Sequence, residues 1–237
     1  MRIITLPGVF QPHSDARLLA AVMRERGLAV GARVLELFVG SGAVAIAAAR
    51  EGAREVTVVD VSRRALLTSV INARRNGVRL RTRRGDLFAP VAGERFDLIL
   101  ANPPYVPSPT EKLPRSGAAR AWEGGGDGRA LLDRLCDEAP VHLAPGGTLL
   151  LVQSSICGER ATLARLEAAG LHAERLAAER GPLGPLMRER APLLEERGLL
   201  APGRREEELL VLAGRAGRVA VRAHAERSPE EVPSWQS

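Results

Sequence analysis

Arg33-Val34-Leu35-Glu36-Leu37-Phe38-Val39-Gly40-Ser41-Gly42, running into the alanine-rich stretch Ala43 to Arg50, is the part of the sequence that decides the fold. Residues 33–38 form a short apolar run, the pattern of a buried strand. The glycines at 40 and 42 turn the chain, and residues 42–50 read as a helix. Strand, glycine turn and helix in that order open a βαβ unit, whose ligand binds outside the carboxyl end of the strand.

The alternation continues on both sides. Upstream, Ser14 or Asp15 is placed to cap a helix that carries Leu18, Leu19, Val22 and Met23 at helical spacing until Gly27 stops it. Downstream, the pattern predicts a strand over 55–60, a helix over 62–75 and a short strand over 78–83. A strand over 96–101 follows, then a proline-rich loop, a helix near 128–141 and a strand over 147–152. Such regularity predicts an α/β fold with a doubly wound, mostly parallel sheet. Residues 159–169 read as a helix, 171–177 as a strand and 207–212 as the last strand. Residues 181–205, rich in Gly, Pro, Arg and Glu, read as a helical or loop insertion. One domain over residues 1–214 is expected, with a leading segment and helix in 1–30 and a partly disordered tail over 215–237. No internal repeat is present.

Composition narrows the class. With 237 residues, 45% of them hydrophobic, the chain can bury one α/β core and little more. No run of some 18 apolar residues and no secretory hydrophobic core occurs, so no membrane span and a cytoplasmic location are expected. Cys136 and Cys157 lack paired spacing and have too few partners for zinc; neither disulfide nor metal is expected. A net charge of +6 and a pI near 10.6 would suit a polyanionic partner. Yet Lys112 is the only lysine while arginine is spread throughout, which is a compositional bias more than a groove. Aromatic residues make up 3%, too few for a stacking platform on single-stranded nucleic acid.

Three acidic residues fall on one rim of this sheet. Glu36 ends the first strand beside Gly40 and Gly42, which let a ligand approach the backbone; a full dinucleotide fingerprint is absent, which disfavours a dehydrogenase. Asp60, with Val61 after it, ends the second strand, where a carboxylate can accept both ribose hydroxyls of an adenosine or cap the following helix. Asp86 follows Gly85 at the end of the third strand, where its carboxylate can accept from an adenine amine and the Leu87 amide can meet a ring nitrogen. The same residue could instead form an Asx turn.

The fourth strand leads directly into Asn102-Pro103-Pro104-Tyr105. Two prolines stiffen this loop and remove two backbone donors, leaving carbonyl oxygens free to accept. Asn102 and the Pro103 carbonyl can take the two N–H bonds of a planar NH2 group and turn its lone pair toward an electrophile. That arrangement favours the transition state, in which the nitrogen loses its conjugation. Tyr105 would pack against the target plane. No catalytic histidine is required, and His13 reads as a packing or capping residue.

The ordered set Glu36, Gly40-Ser41-Gly42, Asp60, Gly85-Asp86 and Asn102-Pro103-Pro104-Tyr105 resembles the HemK-like protein glutamine methyltransferases, over about residues 9–213. The resemblance implies a Rossmann-like class I methyltransferase fold: seven strands, the last antiparallel, with helices on both faces. It implies S-adenosylmethionine as cofactor, S-adenosylhomocysteine as its product, and the glutamine of the Gly-Gly-Gln motif of peptide release factors as target. On it, Asn102, Pro103 and Tyr105 are catalytic. Asp15, Glu36, Phe38, Gly40, Gly42, Asp60, Val61, Asp86, Leu87 and Asn102 bind the cofactor. Asn102, Pro103, Pro104, Tyr105 and Trp122 bind the substrate.

Phe10-Gln11-Pro12-His13-Ser14-Asp15 looks like that family's leading segment, which would bring Asp15 to the cofactor's methionine end or to the substrate. Trp122-Glu123-Gly124-Gly125-Gly126-Asp127-Gly128 matches a segment that shapes the target pocket. Phe38 stands where many members have glycine. The plan is similar to the short branch without an N-terminal helical domain, which works with a small zinc-containing subunit. The loop leaves two targets open, a protein amide and a nucleobase amine of DNA or RNA (adenine N6 or cytosine N4). The latter would need base flipping and a strong salt dependence. A scaffold without turnover is disfavoured by the intact Asn102 and Tyr105.

Overall fold

A computed structural model describes residues 1–9 and 14–217. Its strands are β1 (Arg33–Leu37), β2 (Glu55–Asp60), β3 (Arg81–Arg84), β4 (Phe96–Ala101), β5 (Leu143–Ser154), β6 (His172–Pro182) and β7 (Glu206–Arg215). Its helices are α1 (Ser14–Glu25), α2 (Ala43–Arg50), α3 (Arg63–Arg75), α4 (Ala130–Glu138), α5 (Glu159–Ala168), α6 (Pro185–Glu189) and α7 (Ala191–Glu196). The strands make one sheet in the order β3-β2-β1-β4-β5-β7-β6. Neighbours from β3 through β5 run parallel, and β7 runs antiparallel to both β5 and β6. The antiparallel last strand is as the resemblance implies.

Alternation along each strand builds two cores. Leu35, Leu37, Ile99, Leu149, Leu151, Leu210 and Leu212 face one side, where Leu132 and Leu135 of α4 and Leu166 of α5 cover them. Val34, Val56, Val58, Leu98, Leu100, Leu150 and Val211 face the other, under Leu19 and Met23 of α1, Ala45 and Ala48 of α2 and Ala65 of α3. A strand buried on both faces is apolar at nearly every position, which is why β1 apart from Glu36, β4 after Asp97 and the centre of β5 read as hydrophobic runs.

The boundaries moved where local signals compete. Pro140 ends α4 early and leads a tight turn through His142. Phe96 already pairs with Leu143, with an irregularity before Leu98 meets Thr148, so β5 starts four residues sooner than its apolar run suggests. β7 ends at Arg215, and Ala216 still donates to the Gly147 carbonyl at 2.9 Å; the sheet thus passes the expected domain limit of 214. Residues 218–237 of the expected tail, and Phe10, Gln11, Pro12 and His13 of the leading segment, lie outside the described residues. Among the described residues no helix is long and apolar enough to cross a membrane, and no group of three or more His, Cys, Asp or Glu is placed to hold a metal ion. Cys136 and Cys157 are buried free thiols; burial pushes Cys136 up to about 12 and Cys157 up as well.

The insertion is ordered, for an identifiable reason. Leu183, Met187, Ala191, Leu194 and Leu200 bury themselves against Val106 and Ile156 as a third apolar cluster. Arg190 then ties the insertion to the loop after β4: it donates to the Pro107 carbonyl at 2.7 Å and pairs with Glu123 at 2.7 Å, each of the two side chains being 17% exposed. Arg190→Ala would strand a mostly buried carboxylate, so it is expected to lower stability by about 2 kcal/mol. Urea unfolding with an unchanged midpoint would show that the tie contributes nothing.

Candidate active site

Strand order reverses at β1, with β2 and β3 on one side and β4 onward on the other. The crevice at the carboxyl end of such a strand is where open α/β sheets hold their ligands. A cavity of about 640 Å3 opens there, with Glu36, Phe38, Gly40, Asp60, Asp86 and Asn102 on its wall together with Val61 and Leu87. Its size is that of a small-molecule or cofactor site.

Glu36 reaches from β1 to the start of α2, where it accepts the Ala45 N–H at 2.7 Å. Gly42, the residue before the helix, has no side chain to cap it and takes φ +78°, so the strand's carboxylate does that work. Burial above all, with the neighbouring Asp60 charge, holds the Glu36 carboxyl well above its usual range, while the Ala45 N–H pulls the other way. Asp60 accepts from Ser62 N at 2.8 Å and Gly40 N at 3.3 Å. Burial raises it too, against those N–H bonds and the Arg120 charge. The cap of α3 is Ser62, which accepts from Ala65 N at 3.3 Å. Asp60 is therefore not the capping residue.

Two non-glycine residues among those described take a positive φ, Phe38 at 58° and Leu87 at 45°. Both line this cavity. The left-handed conformation costs about 1–2 kcal/mol for a residue with a Cβ, and strain of this kind collects at ligand sites. It is offset by packing, since Leu87 is buried and the Phe38 ring lies against the core. Gly42 is not on the cavity wall: a Cβ there would lie 2.7 Å from Ser69 Cβ, so its glycine serves the contact of the turn with α3. Asp86 is engaged by Arg134 at 3.0 Å on an exposed rim.

A second cavity, about 520 Å3, lies on the far side of the proline-rich loop. Pro103, Tyr105, Trp122, Ser14 and Asp15 line it, and the end of β6 and α6 enclose it through Gly181, Pro185 and Met187. Asn102, Pro104 and Ala121 line both cavities. This loop is therefore the wall between them.

Asp15, expected at the cofactor's methionine end or at the substrate, lines the second cavity and is joined to Asn102. Its Oδ1 accepts the Ala16 N–H at 2.7 Å, and its Oδ2 accepts from Asn102 Nδ2 at 3.0 Å and from the Tyr105 hydroxyl at 3.4 Å. Once the Asn102 amide donates in that direction, its oxygen is the side left free. Burial, then the charges of Asp15 and Glu207, push the Tyr105 phenol well above its ordinary value, so it stays protonated and donating.

The glycine-rich segment acts at one remove. Gly124 and Gly128 line neither cavity; a Cβ on Gly124 would lie 2.7 Å from the Pro104 carbonyl, and one on Gly128 would run into that of Tyr105. Their bareness lets this segment brace the backbone of the proline loop. Arg129, next in the chain, is committed to Asp133, Thr162 and the carbonyls of Cys157 and Gly158. Sequence reasoning missed Glu207 and residues 179–187, all but Leu183 of which line the second cavity. Parity along β7 gives no signal for Glu207, because both faces of the strand are buried further on, Leu210 and Leu212 on one side and Val211 and Ala213 on the other.

Residues 1–113 match the Methyltransferase small domain. An inferred protein N5-glutamine methyltransferase of Methanocaldococcus jannaschii is 36% identical over 181 residues, 76% of this chain and 90% of that protein. The release factor glutamine methyltransferase of Geobacter sulfurreducens is 34% identical over 158 residues, 62% of this chain and 54% of its own length. The chain thus spans about half of that longer relative. Among solved structures, the E. cuniculi Mtq2–Trm112 complex, responsible for methylating the termination factor eRF1, superimposes with a TM-score of 0.62 at 22% identity, covering 89% of this chain and 99% of that one. Two cavities sharing one wall of Asn102 and Pro104, on a sheet of this order, and a relative matched over nine-tenths of its length lead to one conclusion: the chain belongs to the protein N5-glutamine methyltransferases.

Proposed function

We propose that a single catalytic domain, extended past residue 214 by the end of β7, methylates the side-chain amide nitrogen of a glutamine in a protein substrate, with S-adenosylmethionine as donor. The observation that carries this reading is the meeting of the two cavities at Asn102 and Pro104. The residues of the first cavity fit that donor. Asp60 offers one carboxylate to two ribose hydroxyls, Val61, Asp86 and Leu87 lie where adenine would sit, and Glu36, Phe38 and Gly40 surround the position of the methionine portion. Gly42 belongs to this set through the turn it shapes.

When bound, S-adenosylmethionine supplies an electrophilic methyl and leaves as S-adenosylhomocysteine. Asn102 Oδ1 and the Pro103 carbonyl accept the two N–H bonds of the target amide, turning its lone pair toward the first cavity. These acceptors strengthen as the nitrogen forms its bond to carbon and grows positive, so they act mainly in the transition state. Tyr105 and Trp122 hold the amide plane, and Pro104 keeps the loop rigid. Alignment supplies much of the acceleration. The surplus proton passes to water, and no side chain has to act as a strong base.

Asp15 is a positioning residue in this scheme, because it holds the Asn102 amide with its oxygen outward. Asp15→Asn would place an NH2 where the acceptor was and favour the flipped Asn102. Turnover should fall by roughly tenfold, with cofactor affinity kept. Equal kcat in the variant would remove Asp15 from the mechanism.

A protein target is supported by the charges around the second cavity. Asp15, Glu179 and Glu207 line it against Arg180 alone, and such a mouth repels a phosphate backbone. The Geobacter sulfurreducens relative, named for release factors, supports a release factor as substrate. A small partner subunit belongs to the same proposal, supported by the fold shared with a chain of the E. cuniculi Mtq2–Trm112 complex. The test is transfer of label from methyl-labelled S-adenosylmethionine to release factors, glutamine peptides, DNA and RNA, with and without such a subunit. Label on glutamine is the expected result; label on nucleic acid alone would overturn the reading.

A further inference from the structure

Glu207 takes no part in the scheme above, yet its position is hard to explain as structure alone. It is the middle of three consecutive glutamates in β7 and the buried one, 7% exposed. Its Oε1 accepts the Gly184 N–H at 3.0 Å. Its Oε2 is closed off from bulk water and has no hydrogen-bond partner. A buried carboxylate oxygen without a donor is costly, and native folds leave few.

The residue lines the second cavity beside Asp15, Asn102 and Tyr105. None of the donors on that wall reaches it: Asn102 Nδ2 and the Tyr105 hydroxyl both go to Asp15, and the Arg180 Nε is turned to Glu208 at 3.6 Å. A donor that enters the cavity can supply the missing bond once the Glu207 carboxyl turns its free oxygen toward it.

We infer that Glu207 is a specificity-determining residue that accepts, through its unpartnered oxygen, a main-chain N–H of the peptide segment carrying the target glutamine. The inference rests on the amide-methylation reading and deepens it. A peptide brings such N–H donors at every residue except proline, and the two N–H bonds of its amide are already taken by Asn102 and Pro103. The acceptors of Asn102, Pro103 and Glu207 together make the pocket hostile to a glutamate in place of the glutamine.

The test is a coupled one. Glu207→Gln keeps the size and the Gly184 bond but can present an NH2 where the free oxygen was. KM for a glutamine peptide should rise about tenfold, the loss of one charge-assisted hydrogen bond, with kcat, cofactor affinity and melting temperature near wild type. In parallel, main-chain nitrogens of the peptide are methylated one at a time. One position should raise KM about tenfold with the wild-type enzyme and have little further effect with Glu207→Gln, as coupled partners do. The peptide scan with wild-type enzyme stands even if the variant folds poorly. Unchanged KM in Glu207→Gln, or no position that couples to it, overturns the inference while leaving amide methylation in place. A wild-type enzyme that turns over no glutamine peptide removes the proposed function and this inference with it.

Discussion

Asn102→Ala is expected to reduce kcat for amide methylation by about a hundred- to a thousandfold, the usual effect of deleting one preorganised partner of developing charge. Affinity for S-adenosylmethionine should stay close to wild type. The asymmetry follows from geometry. Asn102 lines both cavities, and in the proposed scheme its free oxygen is one of two acceptors that orient the reacting nitrogen. Its nitrogen side is tied to Asp15 at 3.0 Å, so alanine removes an acceptor that was already aligned. Because the bond strengthens only as the amide loses conjugation, its loss appears in kcat more than in KM. Single-turnover kinetics with saturating cofactor would separate the two; turnover within a fewfold of wild type would mean that Asn102 does not hold the nitrogen.

Asp60→Ala should do the opposite. It removes the proposed partner of both ribose hydroxyls, each a hydrogen bond to a charged group worth about 1.5–3 kcal/mol, so cofactor affinity should fall by about a hundredfold or more. At saturating cofactor, kcat should recover most of its value, since the bonds of Asp60 go to Gly40 and Ser62 and not to the proline loop. The carboxyl is already raised by burial, which means that it protonates at a higher pH than a surface aspartate. Cofactor binding should accordingly weaken on acidification sooner than for an exposed carboxylate, and recover as pH rises and the group ionises. Calorimetry that finds equal affinity in wild type and variant would remove the ribose assignment.

The parts of this fold that were legible in the sequence are those whose pattern follows from burial. β1, the glycine turn and α2 could be read from residues 33–50, because a strand covered on both faces is largely apolar and Gly42 must be bare. The proline loop was legible because four residues carry its chemistry in sequence. Other features depend on partners distant in the chain. The bond from Asn102 to Asp15 spans 87 residues, and nothing in the local pattern of either residue announces it.

β6 runs to Pro182 although Glu174, Glu179 and Arg180 interrupt its apolar pattern, because it is an edge strand with exposed positions. Phe38 reads as the end of a hydrophobic run, while its backbone is left-handed and its ring lies partly on the cavity. Glu207 sits in an acidic triplet, Glu206 to Glu208, and nothing in that triplet marks its middle member as the buried one.

The most direct test of the central claim is a crystal structure with S-adenosylhomocysteine and a glutamine peptide bound together. The account predicts the sulfur in the cavity beside Glu36 and Asp60, facing the proline loop. On the other side of the loop, the peptide's amide nitrogen should lie within hydrogen-bond reach of Asn102 Oδ1 and the Pro103 carbonyl. An amide bound away from that loop, or an adenosine seated outside the crevice at the end of β1, would contradict it.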